Sequence, residues 1–534
     1  MSYFARRGTV FVAAVAVVAL LVGLLFDLAS SDDETTERMS PVGEVNGSDT
    51  TAANTEGTDA SSPAPTAPAG STTTTAAPFV ARTDVLVDPE SFGRPYSTDV
   101  PGVLTFRGNP TRSYYGSGPV PRSQPQVLWQ YPGKGNPMCG ESSEYGNVRI
   151  WCGTGWTGQP AVFERDGRTW VVFGAYDWKV HFVDAATGLD IIPPFETGDL
   201  AKGNVTVDPD GFPLVYVGSR DNYLRVIAFD GSEPRELWKI NGRTDDRKHN
   251  DDWDAAPLVL NDHLLEGGEN SWFYGIKLNR GYAADGTVTV DPALTFRVPG
   301  WDQQLIDDLG SKDPNRVSLE ASVAVSGDTA WLNSSGGLVQ GWDISSLRTG
   351  QGDVQRTFRF WTGDDSDATI VPDDEGFLFV GAEVDRNNSR AQATGQLLKL
   401  DPRNPDDPVV WSIDVNNGEG SGTWAAPIVL DDVVIWNTKP GKVYGVDRTT
   451  GEILWKLSVA APVLSSPSVV DGVLIQADGN GTVHAYDVSS PRTAPTELWS
   501  VTLDANIEST PVVWEGRIYV GTRAGYVYCL GTPG

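Results

Sequence analysis

The sequence predicts an all-β fold, an eight-bladed β-propeller of four-stranded antiparallel blades, and three observations predict it. A four-strand unit recurs eight times, Trp residues recur at the same period, and the last unit lacks a strand whose counterpart stands ahead of the first. The best copy runs from Thr423 to Trp455. In it a short apolar strand, an Asp-Asp turn, a β-branched strand, a Gly turn, a third strand ending in Asp447, a Thr-Gly turn and a strand carrying Trp455 follow one another.

First strands begin near Gln159-Pro160, Asn204-Val205, Ala256-Pro257, Ser322-Val323, Thr369-Ile370, Ala426-Pro427, Ser466-Pro467 and Thr510-Pro511, at spacings of 45, 52, 66, 47, 57, 40 and 44 residues. Third strands are expected to close on Asp184, Asp230, Asn279, Asp343, Asp401, Asp447 and Asp487. Four strands at this period are the mark of propeller blades. The eighth unit stops after Tyr526–Gly531, and Val127-Leu-Trp-Gln-Tyr131 supplies its missing strand, so the ring is expected to close on a strand from the N-terminal side and leave no exposed edge. Trp129, Trp238, Trp411, Trp455 and Trp499 keep the repeat register and are expected to pack between blades. Trp156, Trp253, Trp272, Trp301 and Trp424 fall outside it.

Composition narrows the function classes. The 534 residues are 40% hydrophobic and 21% charged, enough to bury a core and to exclude whole-chain disorder. Asp and Glu number 70 against 40 Lys and Arg, a net charge of −30, which is the wrong sign for nucleic acid. Three Cys and four His exclude a disulfide-dense scaffold and a four-thiolate zinc site made by this chain alone, and no CxxCH is present for haem attachment.

Ahead of the repeats, Val10–Phe26 is an unbroken apolar run of 17 residues with Arg6 and Arg7 before it and Asp27, Asp32, Asp33 and Glu34 after it. It reads as a single-pass anchor with its N-terminus inside, rather than a cleaved signal, because no clean A-x-A site follows. Residues 30–80 are rich in Ser, Thr, Pro and Ala and cannot bury enough apolar area to offset their ordering entropy. The expected organisation is a cytoplasmic stub and transmembrane helix over 1–29, a disordered stalk over 30–80, and a propeller domain over 81–534 whose repeats start near 125. The propeller would then lie outside the cytoplasm, at the cell membrane. The sequons at Asn204 and Asn333 carry little information.

The units resemble the blades of the quinoprotein alcohol dehydrogenase-like propellers, the PQQ-like repeats. Asp447-Arg-Thr-Thr-Gly-Glu-Ile-Leu-Trp455 matches their signature closely and Asp184-Ala-Ala-Thr-Gly188 in part, and the resemblance spans about 125 to 531. It implies the fold, but two kinds of role: redox enzymes holding pyrroloquinoline quinone and Ca²⁺ under a vicinal Cys-Cys disulfide, and cofactor-free scaffolds such as the outer-membrane assembly lipoprotein. No two Cys are adjacent here. Cys139 and Cys152 are instead expected to pair with one another in an oxidising compartment, closing a loop worth about 3 kcal/mol. Cys529, in a small-residue slot of the last blade, is expected to be a buried, inert thiol.

Candidate sites follow from the register. Lys202, Asp254, Glu320, Asp367 and Glu508 each stand three residues ahead of the Pro-equivalent position of a first strand, so they should converge on one mouth of the channel and could hold a cation or a cationic ligand. A second, polar and aromatic set lies in the third blade: Asp251, Asp252, Trp253, Glu266, Glu269, Asn270 and Trp272, able in principle to take a cation or a sugar with Trp253 or Trp272 as a stacking surface. Gly267–Ser271 also reads simply as a turn, and His249 as an exposed imidazole. No metal ligand set and no catalytic residue is assigned; calcium is left open because oxygen donors abound.

The leading expectation is a membrane-anchored extracytoplasmic propeller acting as a binding or scaffold module of the cell envelope, with no cofactor and no chemistry of its own. Its ligand at the funnel or top face would be an envelope protein, a glycan or a small molecule. The first alternative is a PQQ- and calcium-dependent dehydrogenase, and the second a glycan-processing propeller enzyme.

Overall fold

A computed structural model describes residues 82–144, 146–155, 158–310 and 315–533. The apolar run Val10–Phe26, the stalk over 30–80 and Trp156 lie outside the described residues. Among the described residues no helix is long and apolar enough to cross a membrane.

Eight sheets form the blades, each built on four antiparallel strands. Blade 3, for example, is Leu258–Leu260, His263–Gly267, Trp272–Lys277 and Ala293–Pro299, and blade 5 is Val371–Pro372, Leu378–Gly381, Leu397–Leu400 and Val409–Ile413. The inner strands are short and β-branched because both of their faces are buried. Asp166-Gly167, Asn261-Asp262, Asp471-Gly472 and Glu515-Gly516 join first to second strands with positive φ at both residues, the turn whose twist suits a two-residue hairpin. The third strand of blade 3 ends at Lys277 rather than at Asn279, since a small hairpin, Gly281–Tyr282 with Val288–Thr289, is inserted before the fourth strand.

The Thr-Gly turn couples neighbouring blades. Asp447 Oδ1 accepts from the backbone N–H of Thr449 (3.0 Å) and Thr450 (2.8 Å) and from Thr450 Oγ1 (3.0 Å), which leaves Gly451 at φ +77°. A Cβ on Gly451 would stand 2.8 Å from Cγ of Trp411, the indole of the preceding blade. The indole N–H groups of Trp411, Trp455 and Trp129 donate to Arg448 O (3.1 Å), Pro491 O (2.7 Å) and Ala185 O (2.9 Å), each on the next blade, and Trp499 donates to Pro121 O (2.7 Å). Trp238 packs in the core cluster of blades 2 and 3.

The ring closes through Gln126–Tyr131, paired antiparallel with Tyr526–Gly531 from Gln126↔Gly531 to Tyr131↔Val527. A second, unforeseen closure comes from further upstream. Gly102–Val103 adds to the inner edge of blade 1 and Gly116–Ser117 lies parallel to Val512–Trp514 of blade 8, so the intervening residues cross the central channel. Arg107 and Arg112 at their centre are fully buried. Arg107 Nη1 donates to Pro467 O (3.0 Å) and Nη2 to Pro427 O, while Arg112 donates to Val323 O (2.6 and 2.8 Å), Phe106 O (2.9 Å) and Ala256 O (3.3 Å). The two guanidiniums thus serve the inner strands of blades 3, 4, 6 and 7 and seal the floor of the channel.

Replacing Arg112 by Ala leaves several buried carbonyls without a donor, each costing about 1–3 kcal/mol. Urea denaturation should show a loss of about 3–5 kcal/mol for Arg112→Ala. Arg122→Ala, which removes the half-exposed pair with Asp487 and a long, exposed hydrogen bond to Asp471 O (3.4 Å), should cost under about 1 kcal/mol; equal losses would contradict the role assigned to the plug.

Candidate functional site

The entrances to the first strands are laced together around the axis. Ala256 N donates to Ser322 Oγ (3.0 Å), Ser322 N to Thr369 Oγ1 (3.1 Å), Ala426 N to Ser466 Oγ (3.0 Å) and Ser466 N to Thr510 Oγ1 (3.2 Å). This lacing fixes the residues a few positions upstream, and Lys202, Asp254, Glu320, Asp367 and Glu508 all line one funnel of about 880 Å3. Among the described residues that line it, nine carboxylates face four Lys or Arg side chains.

On the blade 3 side Lys202 Nζ pairs with Asp254, and lies 3.5 Å from Glu269 and 3.9 Å from Asp252. Arg220 Nε stands 3.1 Å from Asp252. Burial lowers the Lys202 pKa, but the fields of Asp254, Glu269 and Asp252 outweigh it and hold the ammonium well above its usual range. Burial also raises the acids, Asp254 to about 7 and Asp252 to about 9, with Glu269 adding to the repulsion and Lys202 opposing it.

Adjoining it, at blades 4 and 5, Ser335 Oγ donates to Glu320 (3.0 Å) and Asp367 (3.1 Å), and Ser318 Oγ to Glu320 (2.5 Å), with an oxygen of Glu320 also within 4.8 Å of Glu269 and His249. Two residues not foreseen, Asp365 and Glu383, join Asp367 there, one oxygen of each lying within 4.8 Å of the others. Burial and mutual repulsion raise all three well above the carboxylate range. Glu508 accepts from Asn506 (3.2 Å) and pairs with Arg523 at 3.4 Å.

The second candidate set divides. Asp251, Asp252 and Glu269 line the funnel. Trp253 does not: it is fully buried, its N–H on Asn222 O (3.0 Å) and its ring 5.2 Å from Tyr274, so it cannot stack on a ligand. Asn270 is a buried strut, donating to Gly242 O (2.7 Å) and Tyr274 OH (2.8 Å). Glu266 sits in the second strand of blade 3, fully buried, where burial raises its pKa against the pull of Arg112. Trp272 is half-buried under Arg297, which lies 3.8 Å over its ring, and against Trp301 at 4.8 Å. His249 is not an exposed imidazole: it lines the funnel 3.9 Å from Glu269. Of the other Trp residues outside the register, Trp424 reaches the funnel, with Lys439 Nζ 4.3 Å over its ring. Both sequon asparagines are buried, Asn333 donating to Ala368 O (2.8 Å).

Cys139 and Cys152 are disulfide-bonded and face one another across the hairpin Cys139–Glu144/Asn147–Cys152, whose Ser143 and Trp151 line the funnel mouth. Cys529 is buried, and burial pushes its thiol up to about 12.

The raised carboxyls set a pH dependence. Asp254 and Asp252 bind protons more tightly in the folded chain than in the unfolded one, so their contribution to stability is complete below the unperturbed carboxylate range and is lost as pH rises through about 7 and about 9. In chelator, the melting temperature should fall between about pH 5 and about pH 8, and Asp254→Asn should flatten the fall. A melting temperature that climbs over this interval would contradict the assignment.

The sequence profile of the family described as outer membrane protein assembly factor BamB (PQQ_2) matches residues 393–494. The chain is 32% identical over 100 residues to the BamB of Alteromonas naphthalenivorans, covering 16% of this chain and 23% of that protein. It is 25% identical over 119 residues to the quinoprotein ethanol dehydrogenase of Pseudomonas putida, covering 22% and 18%. The chain spans 9% to 23% of the length of the curated relatives it matches. Among solved structures, the quinohemoprotein alcohol dehydrogenase ADHIIG from Pseudomonas putida HK5 shares the fold, with a TM-score of 0.53 at 13% identity over 81% of each chain. The quinone of such enzymes does not fit this funnel: it is a polycarboxylate, it would meet nine carboxylates against four cations, and the Cys pair present bridges a hairpin instead of being vicinal. The oxygen donors do suit a hard cation. In fold the chain is an eight-bladed propeller, and in part of its repeat it is similar both to BamB and to the quinoprotein dehydrogenases.

Proposed function

We propose that this propeller is a binding module of the cell envelope, held at the membrane by the Val10–Phe26 segment, whose funnel receives a cationic group presented by a partner protein. The one-ended acidic funnel carries this reading. Its floor is sealed by buried Arg107 and Arg112, its walls bear nine carboxylates against four Lys or Arg, and a cation entering it exchanges water for oriented oxygens. The relatives named as outer membrane protein assembly factors support a protein as the partner. The anchor and the envelope location rest on the sequence of the N-terminal 80 residues.

A Lys/Arg-rich extended peptide should bind the purified full chain in fluorescence anisotropy, and an acidic peptide of equal length should not. Affinity should fall steeply from low to high salt, and Glu508→Gln should weaken it several-fold. Saturable binding of pyrroloquinoline quinone with Ca²⁺, together with no peptide binding, would replace this reading by the dehydrogenase one.

A further inference from the structure

The repeat has written the same acidic constellation twice. In blade 3, Asp252 and Asp254 stand five and three residues ahead of Pro257, and Glu269 two residues past Gly267, the last residue of the second strand. In blade 5, Asp365 and Asp367 stand five and three residues ahead of Ile370, and Glu383 two residues past Gly381, again the last residue of the second strand. Each triad brings one oxygen from every member within 4.8 Å of the others.

The triads differ in what the preceding blade delivers. Blade 2 places Lys202, three residues ahead of Val205, against the blade 3 triad, and its ammonium reaches all three carboxylates. Blade 4 places Glu320 at the same repeat position, three residues ahead of Val323, so the blade 5 triad receives a fourth carboxylate where its twin receives a cation. Of the triad's oxygens Arg316 (3.3 Å) and Arg386 (4.0 Å) reach Asp365 Oδ2, and they also pair with Asp385 (2.7 Å) and Asp364 (3.9 Å) respectively; among the described residues no ion pair involves Asp367 or Glu383. Lys439 acts on Glu383 only through its field.

Two buried oxygens point to what belongs there. Glu383 is 93% buried and its Oε1 accepts no hydrogen bond; Asp365 is 98% buried and its Oδ1 is likewise without a donor. A buried anionic oxygen without a donor or counter-ion is costly, and four acids sharing one site compound the cost. A cation relieves it. Separations up to 4.8 Å within the triad of Asp365, Asp367 and Glu383 match oxygens on opposite sides of an ion at the ~2.4 Å calcium–oxygen distance, and three carboxylates suit a hard ion; Glu320, linked to Asp367 through the Ser335 hydroxyl, also lies within 4.8 Å of Glu269 and a His249 ring nitrogen.

We propose that Asp365, Asp367, Glu383 and Glu320 form a site for a hard divalent cation of the calcium type, doing for blade 5 what the Lys202 ammonium does for blade 3. The site shares Glu320, Asp367 and Glu383 with the funnel of the peptide reading, but an ion there ties blade 4 to blade 5 whether or not a partner protein enters, and ion titration without peptide tests it separately.

The test uses the purified full chain after chelator treatment, with calorimetric titration and thermal melts in CaCl2, MgCl2 or MnCl2. One ion should bind per chain, and the melting temperature should rise with its concentration by mass action. Glu320→Lys should mimic blade 3, melting higher than the parent in chelator and no longer responding to the ion. Glu383→Gln, nearly isosteric, should weaken binding at least about tenfold, while Asp254→Asn should leave it unchanged. The proposal is overturned if the parent shows neither heat nor melt shift with any of the three ions, if Glu383→Gln retains full affinity, or if Asp254→Asn abolishes binding in its place.

Discussion

The buried guanidiniums of Arg107 and Arg112 are the constraint on which the rest of this molecule depends. Eight blades set around an axis turn eight inner strands toward one channel, and every inner strand has a free edge of backbone groups that must find partners. Here a loop entering from the N-terminal side supplies them, with donors whose planar fork reaches carbonyls of four different blades at once. A hydrated channel could satisfy the same groups with water, but it would be open at both ends. The sealed floor makes the channel a funnel, with the carboxylates standing in its wall. Asp252, Asp254, Asp365, Asp367 and Glu383 have raised carboxyl pKa values because each is buried and crowded by other acids.

The blades were legible in the sequence because each writes its own instructions locally. The Asp of Asp-x-x-Thr-Gly captures the N–H groups of its own turn, Gly451 and Gly188 leave room for an indole, and the indole belongs to the adjoining blade. Strand, turn and inter-blade contact thus all fall within one repeat length. The plug was not legible for the opposite reason. Arg107 binds carbonyls 320 and 360 residues away, and a carbonyl has no residue type for a pattern to recognise.

The site was legible where it followed the register and hidden where it did not. Lys202, Asp254, Glu320, Asp367 and Glu508 share an offset from the first strands, and the lacing of backbone N–H to Ser and Thr oxygens makes that offset a direction in space. Trp253 shares no such offset; lying between two funnel-facing aspartates, it points the other way, as alternation along an extended segment requires. Asp365 and Glu383 carried a signal that could have been read, because their offsets repeat those of Asp252 and Glu269. Comparing blade 5 with blade 3 position by position, instead of each blade with the repeat average, exposes them.

That comparison also shows how a repeat fold acquires a site without changing its backbone. Both triads are held by the same strand ends, and the neighbouring blade contributes one side chain to each from the same position. With Lys at that position the triad is neutralised from within the chain, and its acids become a structural ion pair between blades 2 and 3. With Glu there, the same geometry concentrates negative charge that Arg316, Arg386 and Lys439 offset only in part, and the proposed cation would balance the rest. One residue per blade, set by register, then distinguishes a triad paired within the chain from the one proposed to take an ion. In a fold that serves scaffolds and enzymes alike, function is then sought in the few ring positions where one blade departs from its twin, since the shared repeat accounts for everything else.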